Sequence, residues 1–288
     1  MGTNKKRRRS KIFRWVMYAF ASALVVAAVI VGDWDRIAFN FFNPEVMGEM
    51  FPEVLTIAAR NTIVYTVLSF IFGLVGALVL ALMKMSSIGP YRWFAVGYIE
   101  LFRGLPALIT LILIGFGIPI AFQNIDIPGG TTGAGVLGLS IVASAYMAET
   151  IRAGIEAVPR GQSEAARSLG MSSGRTMFTI VLPQAFRIII PPLTNEMVLL
   201  IKDTSLFYVL GTTPLTKELT KFARDFMIEA RNATPLTVAA LVYLAITLPL
   251  TWLARRLEKR GARGRAGSET GDEQKNVLAQ VSKSGIDR

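Results

Sequence analysis

Apolar residues in this chain come in long unbroken runs separated by short polar connections, rather than in an amphipathic rhythm. A window of about 19 residues finds six such runs, at 15–31, 63–83, 105–122, 131–148, 188–210 and 234–253. Each is close to the roughly 20 residues that a helix needs to cross the hydrocarbon layer. Helices are the expected form, because an open strand edge leaves backbone groups unsatisfied in lipid. The third run is expected to begin earlier, near Trp93, which would put Glu100 and Arg103 in its first turns.

The connections carry the orientation. Lys and Arg number seven in the N-terminal arm, two at 84–92, five at 152–187 and six at 255–265, twenty on one side. The alternate connections hold six: Arg36, Arg60, Lys217, Lys221, Arg224 and Arg231. By the positive-inside rule both termini are expected in the cytoplasm. Residues 33–59 then lie outside, where acids (Asp33, Asp35, Glu45) mixed with aromatics (Trp34, Phe39, Phe41) suggest an amphipathic helix along the interface. The tail beyond Arg255 is polar and Gly/Ser-rich, and is expected to be disordered.

Small residues recur every four positions in two runs, Gly73, Ala77 and Ala81 in one and Ser140, Ser144 and Ala148 in another. Such stripes let helix backbones approach closely, and packing within the chain is the expected use.

Composition supports the membrane class: of 288 residues 52% are hydrophobic, and mean hydropathy is +0.47. A net charge of +11 would suggest nucleic acid in a soluble protein. Here the basic residues flank apolar runs, so no nucleic-acid partner is expected. The chain has no cysteine and no histidine, which excludes disulfides, thiolate catalysis and the commonest metal ligand, and no cofactor is expected. The basic start, Lys5 to Arg9, and the run after it have the look of a signal peptide. That run is 17 residues long with no small-residue cleavage site before Asp33, so a retained anchor is expected.

The insert between the fourth and fifth runs is polar and helix-prone. Pro159 suits a first helical turn, residues 162–169 are mostly good helix formers, and Gly170 suits the left-handed position that ends a helix. Ser172 or Ser173 can cap a second short helix toward Ile180. The first helix should present Glu164, Arg167 and Ser168, with Ala165, Ala166 and Leu169 low in profile, a shape suited to another protein's groove.

Glu164-Ala165-Ala166, then Gly170, then Ile180-Val181-Leu182-Pro183, resembles the E-A-A loop of the permease subunits of ATP-binding cassette (ABC) importers. The longer string 152–171 is similar to the polar amino acid branch, as are 99–106, I-E-L-F-R-G-L-P, and 202–206, K-D-T-S-L. The resemblance covers about residues 52–253. It implies an all-α, polytopic membrane protein of about six transmembrane helices, a five-helix type I importer core over 56–254 plus one N-terminal helix within 1–55, and a tail at 255–288. It also implies a cytoplasmic ATP-binding subunit pair, an external solute-binding protein, and a second permease copy or paralogous permease in the bacterial inner membrane. ATP hydrolysis would belong to the separate subunit, and Glu164, Ala165, Ala166, Arg167 and Gly170 would form the coupling helix seated in it.

Charges inside spans are expensive in lipid and usually face protein or a water-filled path. Glu100 and Arg103, and Glu149 and Arg152, are three apart and spaced for local ion pairs. In the fifth run Glu196 and Asp203 share one line of the helix, and Asn195 and Lys202 the neighbouring one. Glu196, Lys202, Asp203 and Thr204 are therefore expected along the substrate path, the alternative being structural pairing between helices. No phosphate-binding G-x-x-x-x-G-K-[ST] loop is present, since 170–176 has three residues between its glycines and Arg for Lys. Ser205, three from Lys202, is a faint protease candidate. A stand-alone secondary carrier is the serious rival, but it would usually show inverted repeats.

Overall fold

The computed structural model describes residues 3–122 and 126–284, with side chains over 13–122 and 126–259. Among these residues every regular element is helical. The basic arm side chains from Lys5 to Lys11 and the tail side chains past Lys259 lie outside the described set.

The chain opens with α1 (Thr3–Val31), α2 (Trp34–Phe41) and α3 (Pro44–Met50). The expected single amphipathic helix is thus two helices. Asn43 breaks it, since its side chain accepts from the Glu45 and Val46 amides and Pro44 starts a new first turn. A π-helical turn, Val54–Ala59, leads into α4 (Arg60–Met85), so the apolar span is longer than the sequence suggests, Val54–Met85.

α5 (Gly89–Gly104), α6 (Ala107–Ile112) and α7 (Ile118–Ala121) replace the straight third span. α5 and the 107–121 arm meet at 107°. The cause is local: Leu105 precedes Pro106 and adopts an extended backbone, φ −90° and ψ 140°, because the proline ring disfavours the helical region for its predecessor. Glu100 and Arg103 therefore sit in the last turns of α5, not in the first turns of one long span.

α8 (Gly130–Glu156), α9 (Arg160–Ser168), α10 (Ser173–Thr176) and α11 (Leu182–Asp203) follow, then α12 (Leu219–Ala230) and α13 (Thr234–Ser284). Among the described residues five helical stretches are long and apolar enough to cross a membrane, and the bent pair, taken as one span, makes a sixth.

The core is α4 packed along α8. The two small-residue stripes face each other: a side chain on Gly73 would meet Met147, Ala143 and Ser140, and one on Gly76 would meet Ser144 at 3.1 Å. Ser69 donates to the Val136 carbonyl at 3.4 Å, and Lys84 pairs with Glu149, so the two helices run parallel. α11 runs antiparallel beside α8, with Gly154 against Ile189 and, in the turn that follows α11, the Phe207 ring against Gly135, where an added side chain would come within 2.8 Å of it. A second cluster, Met50, Val54, Leu219, Phe222 and Val238, joins α3, α12 and α13. None of the Phe13–Val31 stretch of α1 is buried.

Candidate functional site

Two sites lie at different levels of α8. At its C-terminal end Pro159 turns the chain into α9, and Gly170 ends that helix with φ +84°. The left-handed residue lets the Gly170 amide donate to Arg167 O at 2.9 Å and the Met171 amide to Ala166 O at 3.2 Å, satisfying carbonyls the helix leaves open. Ser172 caps α10, its hydroxyl accepting from the Arg175 amide at 3.4 Å. α10 is no separate unit, because a π-helical turn carries it into α11 and the run Ser173–Val209 is continuous.

Glu164, Ala165, Arg167 and Gly170 are exposed, while Ala166 is buried against the core. Leu169 departs from expectation. It is 86% exposed, the highest among the large hydrophobic residues described, because at the C-terminal boundary of α9 it projects past the last turn. Glu149 anchors this end of α8: Lys84 reaches it from α4, and Arg152 donates to it through Nε at 3.1 Å and Nη2 at 2.9 Å. The Glu149–Arg152 spacing read from the sequence is thus a real pair.

Further along α8 is a cavity of about 250 Å³. Leu139, Val142 and Ala143 form an apolar wall, Tyr146 borders it, and Glu196 and Asp203 enter from α11. The break between α5 and α6 closes it with Leu105 and Ala107. Two carboxylates two helical turns apart face one space, and among the described residues no basic side chain lines it. Lys202 is exposed and outside the lining, since one residue's rotation turns it about 100° from Asp203. Thr204 is fully buried, its hydroxyl donating to Ile201 O at 2.6 Å. The four residues expected along a path thus separate into Glu196 and Asp203 at the cavity, and Lys202 and Thr204 away from it.

Arg103 does not take Glu100 as its partner. Its guanidinium carbon lies 5.6 Å from the centroid of the Tyr146 ring, and the Tyr146 hydroxyl donates to the Arg103 carbonyl at 3.4 Å. Tyr146 was not legible as a site residue, since an uncharged aromatic in an apolar run carries no distinguishing signal.

Glu218 was not legible either, since in sequence it is one more charge in a polar connection. It is fully buried at the start of α12, accepting from the Thr220 amide at 2.6 Å, the Lys221 amide at 2.7 Å and the Tyr243 hydroxyl at 3.2 Å. Burial outweighs these bonds and pushes its carboxyl up to about 7. Lys217 and Lys221 on the same loop and helix are taken up by Asp225, at 2.7 and 2.5 Å.

A membrane bundle with a polar insert hung from its central helix and a charged cavity beside that helix describes a transport-system membrane component. The chain belongs to the family of binding-protein-dependent transport system inner membrane components, whose model matches residues 73–263. The L-cystine transport system permease protein TcyB of Bacillus subtilis is 37% identical over 231 residues, 79% of this chain and 90% of that protein. The arginine transport system permease protein ArgU of Corynebacterium glutamicum is 36% identical over 256 residues, 83% and 80% of the two chains. The crystal structure of an amino acid ABC transporter with histidines matches with a TM-score of 0.67 at 38% identity, over 74% of this chain and 96% of that one. The all-α importer-permease fold is therefore the fold of this chain, and membership in this family favours a permease subunit over a stand-alone carrier.

Proposed function

We propose that the chain is the permease subunit of an ATP-driven amino acid importer, with the cavity between α8 and α11 as its substrate path. The observation that carries this reading is the pair Glu196 and Asp203 facing one cavity with no cation in its lining. Two half-buried carboxylates facing a lining that holds no cation, with Lys202 acting on Asp203 only from outside it, favour a positively charged guest, and every amino acid offers one in its ammonium group. The apolar wall opposite, from Leu139 to Ala143, excludes water and strengthens that attraction.

In this reading α9 is the coupling helix of a separate ATP-binding subunit, which hydrolyses the ATP, and a solute-binding protein delivers substrate at the opposite face. The arm and tail lie in the cytoplasm, as the charge asymmetry favours. Lys202 is exposed on α11 of the single chain, inside a membrane-spanning run. A lysine facing lipid there is costly, so its face is covered by a second permease subunit or opens on a shared aqueous path.

The test is uptake by the complete transporter in proteoliposomes, with ATP inside and binding protein outside. Glu196→Gln and Asp203→Asn are expected to raise the KM for the accumulated amino acid about 30-fold or more, the scale of losing one partner of a desolvated charge pair. Unchanged KM in both variants would remove the cavity from the path, and uptake without ATP would favour a carrier.

A further inference from the structure

The cavity has one end nearer the coupling insert, and its residues follow from helix register. With Gly154 against Ile189 and Gly135 against Phe207, Tyr146 falls level with Glu196, and Leu139 level with Asp203. Of the α8 residues in the cavity wall, Tyr146 is the one closest to α9. A substrate leaving toward the insert passes this side chain.

Tyr146 is held from outside the cavity. Arg103 in the last turn of α5 puts its guanidinium over the ring and its carbonyl on the hydroxyl. Among the described residues Arg103 forms no ion pair, although Glu100 stands three positions away. Its hold on Tyr146 crosses between two helices, and the hinge of the 107° bend begins one residue later at Gly104. A shift of α5 against α8 therefore withdraws the cation and the carbonyl together, and the ring is then free to change rotamer.

We propose that Tyr146 is the gate at the insert end of the cavity and that Arg103 is the positioning residue that latches it. This rests on the cavity being the substrate path, as proposed above. Arg103 acts through Tyr146 and is not itself in the cavity wall.

The natural chain has no cysteine, so Val142→Cys, which replaces a larger side chain, provides a single thiol in the cavity wall. The measurement is the rate at which a charged, membrane-impermeant methanethiosulfonate labels that thiol in the reconstituted complex, applied from the ATPase face and, separately, from the opposite face. Adding Arg103→Gln is expected to raise labelling from the ATPase face about two- to fivefold, the scale of an exposed cation–π contact, with little change from the other face. Arg103→Lys, which keeps the cation, should recover most of the protection, and Tyr146→Leu should match or exceed Arg103→Gln. If Tyr146→Leu prevents assembly with the ATPase, Arg103→Gln and Arg103→Lys alone decide, since Arg103 is exposed. Unchanged labelling in Arg103→Gln, or an equal rise from both faces, overturns the latch. Because labelling needs no substrate, it fails separately from the KM test of Glu196, which judges the path.

Discussion

Gly154 of α8 stands directly against the side chain of Ile189 of α11, with no room for even a methyl group between them. This contact lies one helical turn past the Lys84–Glu149–Arg152 cluster and brings the insert end of α8 onto the start of α11. Gly154→Ala should destabilise the chain by about 1–3 kcal/mol, the usual cost of overpacking a filled site. Thermal unfolding in detergent would show it, and adding Ile189→Ala should recover part of the loss. Additive losses in the double variant would show that the contact is not the cause.

Glu218 sets a pH dependence whose sign is fixed by burial. Its carboxyl titrates at about 7 in the folded chain, against an ordinary 4.5. Between those values the folded state keeps a proton that the unfolded state has released. The contribution is thus fully present below 4.5 and is lost as pH rises through 7, up to about 3 kcal/mol in all. Glu218→Gln keeps an acceptor oxygen for α12 and removes the titration. Melting temperatures from pH 5 to 8 should fall for the natural chain relative to this variant, and parallel curves would refute the assignment.

The α9 insert makes a third prediction. Gly170 holds φ +84°, which proline with its ring-locked negative φ cannot adopt, so Gly170→Pro should break the end of α9 locally. Glu164→Lys reverses an exposed charge without touching the core, and Leu169→Asp removes the most exposed large apolar side chain among the described residues. Each should abolish most ATP-driven uptake while circular dichroism still reports folded helices. Full uptake in all three would end the coupling role.

The spans were legible because hydropathy over twenty residues is a local sum, and the Glu196–Asp203 line because helical periodicity is rigid over two turns. The facing stripes at Gly73 and Ser140 were legible as packing surfaces, although their partners were not. The bend at Gly104 to Pro106 was hidden inside an apolar run, where hydropathy is blind to direction. Arg103 found Tyr146 rather than Glu100 because the ring approaches from another helix, and Glu218 meets Tyr243 of α13, the next helix along the chain. Sequence spacing reports neighbours along one helix, and these contacts lie between helices.

α8 is one uninterrupted helix from Gly130 to Glu156. Tyr146 and Glu156 are ten residues apart on it, about 15 Å along the axis. An unbroken helix of this length behaves as a stiff shaft, so a tilt of about ten degrees about Tyr146 carries the insert end through roughly 2.6 Å while the Tyr146 backbone itself hardly shifts. A stroke at α9 of the kind the proposed coupling role requires would then reach the aromatic ring mainly as a change of angle, which is the motion that separates a ring from a cation stacked on it.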